Sequence, residues 1–316
     1  MSGVTLTLTG SGADSTLSDG SGNYTFSSLV SGGTYTVTPS KAGRTPASPG
    51  INAIDIVAVE RHYLQFALLS GCRLAAADVN GDNLINVLDL VAMQRFFLGF
   101  PTGTAHVGKY VFVPASRTYS GVVSDQTAQN FDALVLGDVV TPFADRPGGP
   151  SQDSAGEETS VGEVPASVTA IALPNVTVDR SMTNFVAGVA AASIDARNHL
   201  VGFQGDLTFD SRVVNFESEP VRPAGLTGSR WNVSGNVLDG PGPIRTLRIA
   251  GFSLDFTPLS GSGTLFELRM TGVNKTTQTT QLLWAAPPDH FIFIDTDLNT
   301  QRPGYTGPGS IAPSDR

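Results

Sequence analysis

The sequence predicts a mainly β protein made of two β-sandwich domains, with a small α-helical unit set into the first. Three observations lead there. Short runs alternating apolar and polar residues recur throughout, separated by turn residues. Gly (35) and Pro (20) are frequent and only 15% of the 316 residues are charged, which suits many strands and turns rather than long helices. Between residues 51 and 98 the period-2 pattern gives way to a helical one that occurs twice.

The first sandwich begins with Val4, Leu6 and Leu8 alternating with Thr5, Thr7 and Thr9. Turn chemistry at 18–23 follows, then strand candidates at Tyr24-Thr25-Phe26 and Tyr35–Pro39. Strands resume at Lys109–Pro114, Arg117–Tyr119 and Gln126–Val135.

In the helical stretch, Ile51–Val57 is echoed 34 residues later by Ile85–Val91, Asn52 falling on Asn86 and Arg61 on Arg95. One face of the first helix carries Ile54, Val57, Ala58 and Leu64; the second repeats it with Leu88, Val91, Ala92 and Leu98. The loop before the second helix, DVNGDNLINVLD, places Asp78, Asn80, Asp82, Asn86 and Asp89 at positions 1, 3, 5, 9 and 12. With the Leu84 carbonyl at position 7, this is the spacing of hard oxygen ligands in a Ca²⁺ loop, and Asn83 tolerates the left-handed turn at position 6. The first copy has Arg44 and Pro46 at positions 1 and 3, leaving Ser48, Asn52 and Asp55 as a degenerate or weak metal set. Cys72, the single cysteine, is expected to be a small packed thiol.

This duplicated loop-helix resembles a dockerin. The resemblance implies Ca²⁺ as cofactor, and partner recognition at loop positions 10 and 11 (Ala53-Ile54 and Val87-Leu88) and on the helices after them, with Arg61 and Arg95. Ile54 and Leu88 are equally compatible with being plain core. The flanking segments, with GSGNYTF and GGTYTVTP before the pair and Phe-x-Pro-x-x-Arg-x-Tyr after it, resemble a carboxypeptidase-regulatory-like (prealbumin-like) sandwich. Residues 1–41 and 105–140 would form that domain and 42–104 the dockerin-like insert.

Residues 141–166 hold Pro, Gly, Ser and five carboxylates, which reads as an acidic flexible linker. From 167 to 300, strand candidates at 168–173, 176–178, 185–189, 201–209, 213–216, 244–252, 263–271, 281–284 and 291–294 make a second sandwich of about nine strands. The run VGFQGDLTFD…VVNF, then LRIAGF and SGSGTLF, resembles cohesin modules, jelly-roll receptors for dockerins. Asp295, Asp297 and Asn299 begin a metal loop but lack its closing acid, so a polar turn is expected. Residues 301–316 read as an extended tail, with the idea that it completes a neighbour's sheet edge weighed against disorder.

A net charge of -9 argues against nucleic acid. No stretch of 18 apolar residues exists to span a membrane, and the first 20 residues lack the character of a signal peptide. The four histidines are scattered without an HExxH pair, and neither a nucleophile elbow nor a phosphate loop is present. The expectation is a non-enzymatic, extracellular or cell-surface, calcium-dependent assembly protein that associates with itself into filaments or a surface layer. The alternatives are a scaffold or adaptor for other dockerin- or cohesin-bearing proteins, and a polysaccharide-binding adhesin.

Overall fold

The computed structural model describes residues 1–140, 169–179, 181–272 and 278–314. The proposed linker, 141–166, lies outside them.

The first region contains β1 (Thr5–Gly10), β2 (Asp14–Leu17) and β3 (Gly33–Ser40), then helices α1 (Ala53–Tyr63), α2 (Gly71–Ala77) and α3 (Val87–Phe97), then β4 (Tyr110–Val113), β5 (Arg117–Val122) and β6 (Asp132–Val135). One sheet runs β2-β1-β3-β5 and a second pairs β4 with β6. β3 and β5 are neighbours although all three helices separate them in sequence. Leu6, Leu8, Tyr35 and Val37 bury the inward face, as the alternation requires. Residues 24–26 are not a strand: Tyr24 instead donates its hydroxyl to Gln129 O and packs its ring against Phe26 and Phe131.

The second region contains β7 (Ala170–Ala172), β8 (Asn175–Val178), β9 (Asn184–Ile194), β10 (Leu200–Asp210), β11 (Val214–Pro223), β12 (Trp231–Leu238), β13 (Ile244–Ser253), β14 (Gly261–Gly272), β15 (Thr280–Trp284), β16 (Ile292–Asp295), β17 (Thr300–Gln301), β18 (Gly304–Tyr305) and β19 (Gly309–Pro313). One sheet runs β12-β13-β10-β15-β19-β8, with β16 also on β10 and β17 on β16; the facing sheet runs β11-β14-β9-β7-β18. Phe203, Leu207, Leu247, Ile249, Phe266, Leu268, Phe291 and Phe293 fill the space between them. The Phe203 ring stacks at 5.6 Å on each of Trp231, Phe266 and Phe291.

Two further elements differ from the expectation. Residues 301–316 are not a free tail as far as they are described. β19 pairs with β8 in parallel and with β15 antiparallel, in its own chain, and Ile311 is buried in the core. Glycine obscures this strand in the sequence, yet the packing demands it: a Cβ on Gly309 would lie 2.6 Å from Pro174 O. β12 was also missed, because WNVSGNVL is interrupted by Asn and Gly, although Trp231 and Val233 point inward.

Candidate functional site: a calcium-type loop and a docked helical pair

α1 and α3 are copies of one unit and pack against each other through equivalent residues, Ile56 and Val59 on α1 and Leu90 and Met93 on α3, all buried. Each starts with the same capping box. Asn52 Oδ1 accepts from Ile54 N and Asp55 Oδ2 from Asn52 N; Asn86 Oδ1 accepts from Leu88 N and Asp89 Oδ2 from Asn86 N. Two otherwise unpaired helix donors are satisfied at each start.

In the second copy the loop closes on itself. The Asp78 carboxylate accepts N–H groups of Gly81, Asp82 and Asn83; Asp82 Oδ1 accepts from Leu84 N; Asp89 Oδ1 accepts from Val79 and Asn80. Asn83 takes the left-handed turn at φ 64, and Ile85 packs against the core. Asp89 is fully buried, and desolvation pushes its carboxyl above the usual carboxylate range despite the N–H groups it accepts, with Asp78 adding to the rise. Among the described residues no three His, Cys, Asp or Glu side chains converge tightly enough to hold a metal alone. A cation here would therefore also use amide and carbonyl oxygen from Asn80 and Leu84. That all-oxygen donor set around a buried carboxylate suits a hard divalent ion. Asn86 spends its side-chain oxygen on the helix cap.

The first loop is built differently. Arg44 stands at position 1 and donates Nη1 to Pro49 O at 2.6 Å. Asp55, 1% exposed, gives Oδ1 not to its own loop but to Val139 and Val140 N–H. The loop could not supply both amides, since Pro46 stands where Asn80 does in the second copy and has no N–H.

The helical pair lies on the outer face of the β12-β13-β10-β16 sheet. Alternation along these strands puts Asn232, Asn236, Arg248, Ala250, Phe252, Gly202, Gln204 and Asp206 on that face. β10 is buried on both sides over most of its length. Ala53 N donates to Gln204 Oε1 at 2.8 Å. Gly202 makes room for α1, because a Cβ there would sit 2.8 Å from Val57 Cγ2. Val201, Phe252, Phe256 and Ile294 share one apolar cluster with Ile56, Val57 and Val59, and Phe66 stacks on Phe256 at 5.1 Å. Arg61 reaches to within 4.0 Å of Asp297.

The C-terminal end of α3 joins them. Gln94 Nε2 donates to Asn232 Oδ1 (3.3 Å), and Asn236 Nδ2 to Leu98 O (2.9 Å). Arg248, held by both oxygens of Asp206, lies over the Phe97 ring at 5.0 Å and donates to Ala47 O. Pairing with Asp206, and with Asp289 at 3.4 Å, satisfies a charge that would otherwise be costly there.

The residues proposed for partner recognition thus fall in two settings. Ala53 is buried in the docked face, and Ile54 is half-buried against the same apolar cluster. Val87 and Leu88 are exposed, at 46% and 61%, and Val91 and Leu84 are exposed beside them. The helix face expected to bury Leu88 and Val91 is therefore the outer face of α3, and Leu90, Met93 and Phe96 do the packing instead. Arg95 folds back, donating to Thr102 O and lying over Phe100. Asp295 closes its polar turn by accepting from Asp297 and Asn299 N–H. Cys72 is exposed rather than packed. The sequence did not reveal Gln204, Gly202, Asn232, Asn236 and Arg248 as contact residues, since small and polar residues alternating in a strand look like a solvent face.

Compared with known families, residues 49–98 match the dockerin type I domain. No curated protein matches the chain. Among solved structures, nearly half of the chain is similar to cohesins. A non-cellulosomal cohesin from the hyperthermophilic archaeon Archaeoglobus fulgidus has 16% identity and a TM-score of 0.34, covering 47% of this chain and 93% of that one. The sixth cohesin of Acetivibrio cellulolyticus scaffoldin B, solved with a Cel5 dockerin mutant, has 13% identity and a TM-score of 0.37, covering 47% and 100%. A type I cohesin–dockerin complex from Clostridium thermocellum gives 13% identity and 0.38, covering 47% and 100%. Among the described residues, no helix is long and apolar enough to cross a membrane.

Proposed function

We propose that this chain is a non-catalytic, extracellular assembly protein, in which a calcium-stabilised dockerin pair and a cohesin-like sandwich are complementary parts of one contact. The observation that carries this reading is the fit of α1 and the end of α3 on the outer β12-β13-β10-β16 face, with Gln204 capping the start of α1 and Gly202 clearing space for Val57. Asp78, Asn80, Asp82 and Asp89, with the Leu84 carbonyl, would hold Ca²⁺, and Asn86 would act at most through a water. The ion's part is to neutralise converging carboxylates and so fix the loop from which α3 starts. The first loop does without it, through Arg44 and the Val139–Val140 amides.

The docked contact lies within one chain. Formed between chains instead, the same contact is heterologous, and unless the rotation closes it generates an open filament or layer. The Leu84, Val87, Leu88 and Val91 face adds a second apolar surface for a neighbouring copy, of a kind that single exposed residues do not make. Electron microscopy and sedimentation of purified protein over a range of concentrations, with Ca²⁺ and with chelator, test this. Filaments or layers that disperse in chelator are expected. Monomers at every concentration would overturn self-association. In that case the exposed α3 face supports the second reading, an adaptor whose partner is another cohesin-bearing protein.

A further inference from the structure

The docked face contains one group that neither calcium binding nor the packing explains. Glu60 lies on α1, is 1% exposed, and its Oε2 has no hydrogen-bond partner among the described residues. The equivalent residue of the second copy, 34 positions on, is Gln94, an uncharged amide that donates to Asn232 across the same contact. The first copy thus buries an acid where its twin buries an amide.

The charged groups around Glu60 are otherwise engaged. On its own helix, Asp55 accepts the Val139 and Val140 amides, Arg61 turns to Asp297, and His62 Nδ1 accepts from Leu69 N. On the sandwich, Asp255 is the charge that acts on Glu60, and it has the same sign. Asp255 itself accepts from the Ser253 hydroxyl and Thr257 N and lies 3.7 Å from Arg230. Among the described residues no cation compensates a glutamate anion in this contact, and burying an unpaired carboxylate is costly enough that the group takes a proton instead.

We propose that docking of the helical pair on its own sandwich takes up one proton at Glu60, so that rising pH releases the pair from the sheet face. Burial, with Asp255 adding to it, carries the docked carboxyl up to about 9, from an ordinary value of 4.5. Between those values the docked state holds more protons than the undocked one. Docking is therefore strongest at acid pH, weakens across this interval, and reaches its weakest above about 9. Within the interval the docked-to-undocked ratio falls about tenfold per pH unit. Released on the alkaline side, the pair and the sheet face both become available to other copies. The inference rests on the docked contact described above.

The test uses the full chain at saturating calcium, with donor and acceptor dyes on exposed Cys72 and on a cysteine placed at exposed Ile244, titrated from pH 5 to pH 10. In the native sequence, energy transfer is expected to fall as pH rises toward 9. In Glu60→Gln, which copies the residue of the second unit, it should stay high throughout. Glu60→Ala, a smaller and equally neutral variant, should be equally flat even if the docked fraction is lower. A pH profile in Glu60→Gln and Glu60→Ala that matches the native one would overturn the role of Glu60. Low transfer at every pH in all three proteins would instead overturn the docked contact on which it rests.

Discussion

The two copies of the loop-helix unit began from one pattern and now do different work. The second keeps oxygen-bearing side chains at positions 1, 3, 5 and 12 and leaves the outer face of its helix in solvent. The first has lost the ligands, and its helix is covered on both sides, by α3 on one and by the sandwich on the other. Val57 is fully buried where Val91 is 37% exposed, and Ala53 is buried where Val87 is open. In the first copy protein contacts order the loop: Arg44 spans it, and Asp55 holds residues 139–140. A duplicated motif can thus divide into a half that keeps the oxygen spacing of a metal loop and a half fixed by its own chain.

The sharpest way to break this comparison is to remove the closing acid of each copy. Asp89→Ala should abolish tight calcium binding by calorimetry, and it also leaves the buried N–H of Val79 and the half-buried N–H groups of Asn80 and Asn86 unpaired. A loss of about 3 kcal/mol or more is expected in denaturant unfolding with chelator. Asp55→Ala leaves Val139, Val140 and Asn52 unpaired and should cost about as much, yet calcium binding should persist. Equal calcium loss in both variants would erase the distinction.

A smaller effect separates the two helix faces. Gly202→Val places side-chain atoms where Val57 lies and should undock α1, seen as an expanded particle in solution scattering. Val91→Asp, on the exposed face, should change stability by no more than about 0.5 kcal/mol while weakening any association between copies in sedimentation. Asn236→Ala removes one hydrogen bond to Leu98 O and should cost about 1 kcal/mol in docking.

How far the sequence carried is clearest in β10. Val201-Gly-Phe-Gln-Gly-Asp-Leu reads as a half-buried strand, and its inner residues Phe203 and Leu207 do fill the core. Its other face, Gly202, Gln204 and Asp206, looks like a solvent face because a surface that receives a helix needs small and hydrogen-bonding residues rather than large apolar ones. The dockerin pattern was legible because metal spacing is local in sequence. Which copy turns inward was not, since Ala53 and Val87 follow the same Ile-Asn pair at equivalent helix starts and the sheet that covers one of them is distant in sequence. Likewise β19 escaped notice because its signal is Ile311 among glycines and prolines, and its pairing partners lie far away in the chain.

The most direct test of the central claim is a cross-link between Ala53 and Gln204, whose native atoms meet at 2.8 Å across the docked face. Both are changed to cysteine in a Cys72→Ser chain, a short bis-maleimide is added with calcium present, and heavy- and light-isotope copies are mixed beforehand. Efficient linkage is expected at these two positions, within single copies at low concentration and with heavy–light pairs appearing as the protein is concentrated into assemblies. Absence of linkage at any concentration, with both thiols reactive, would contradict it.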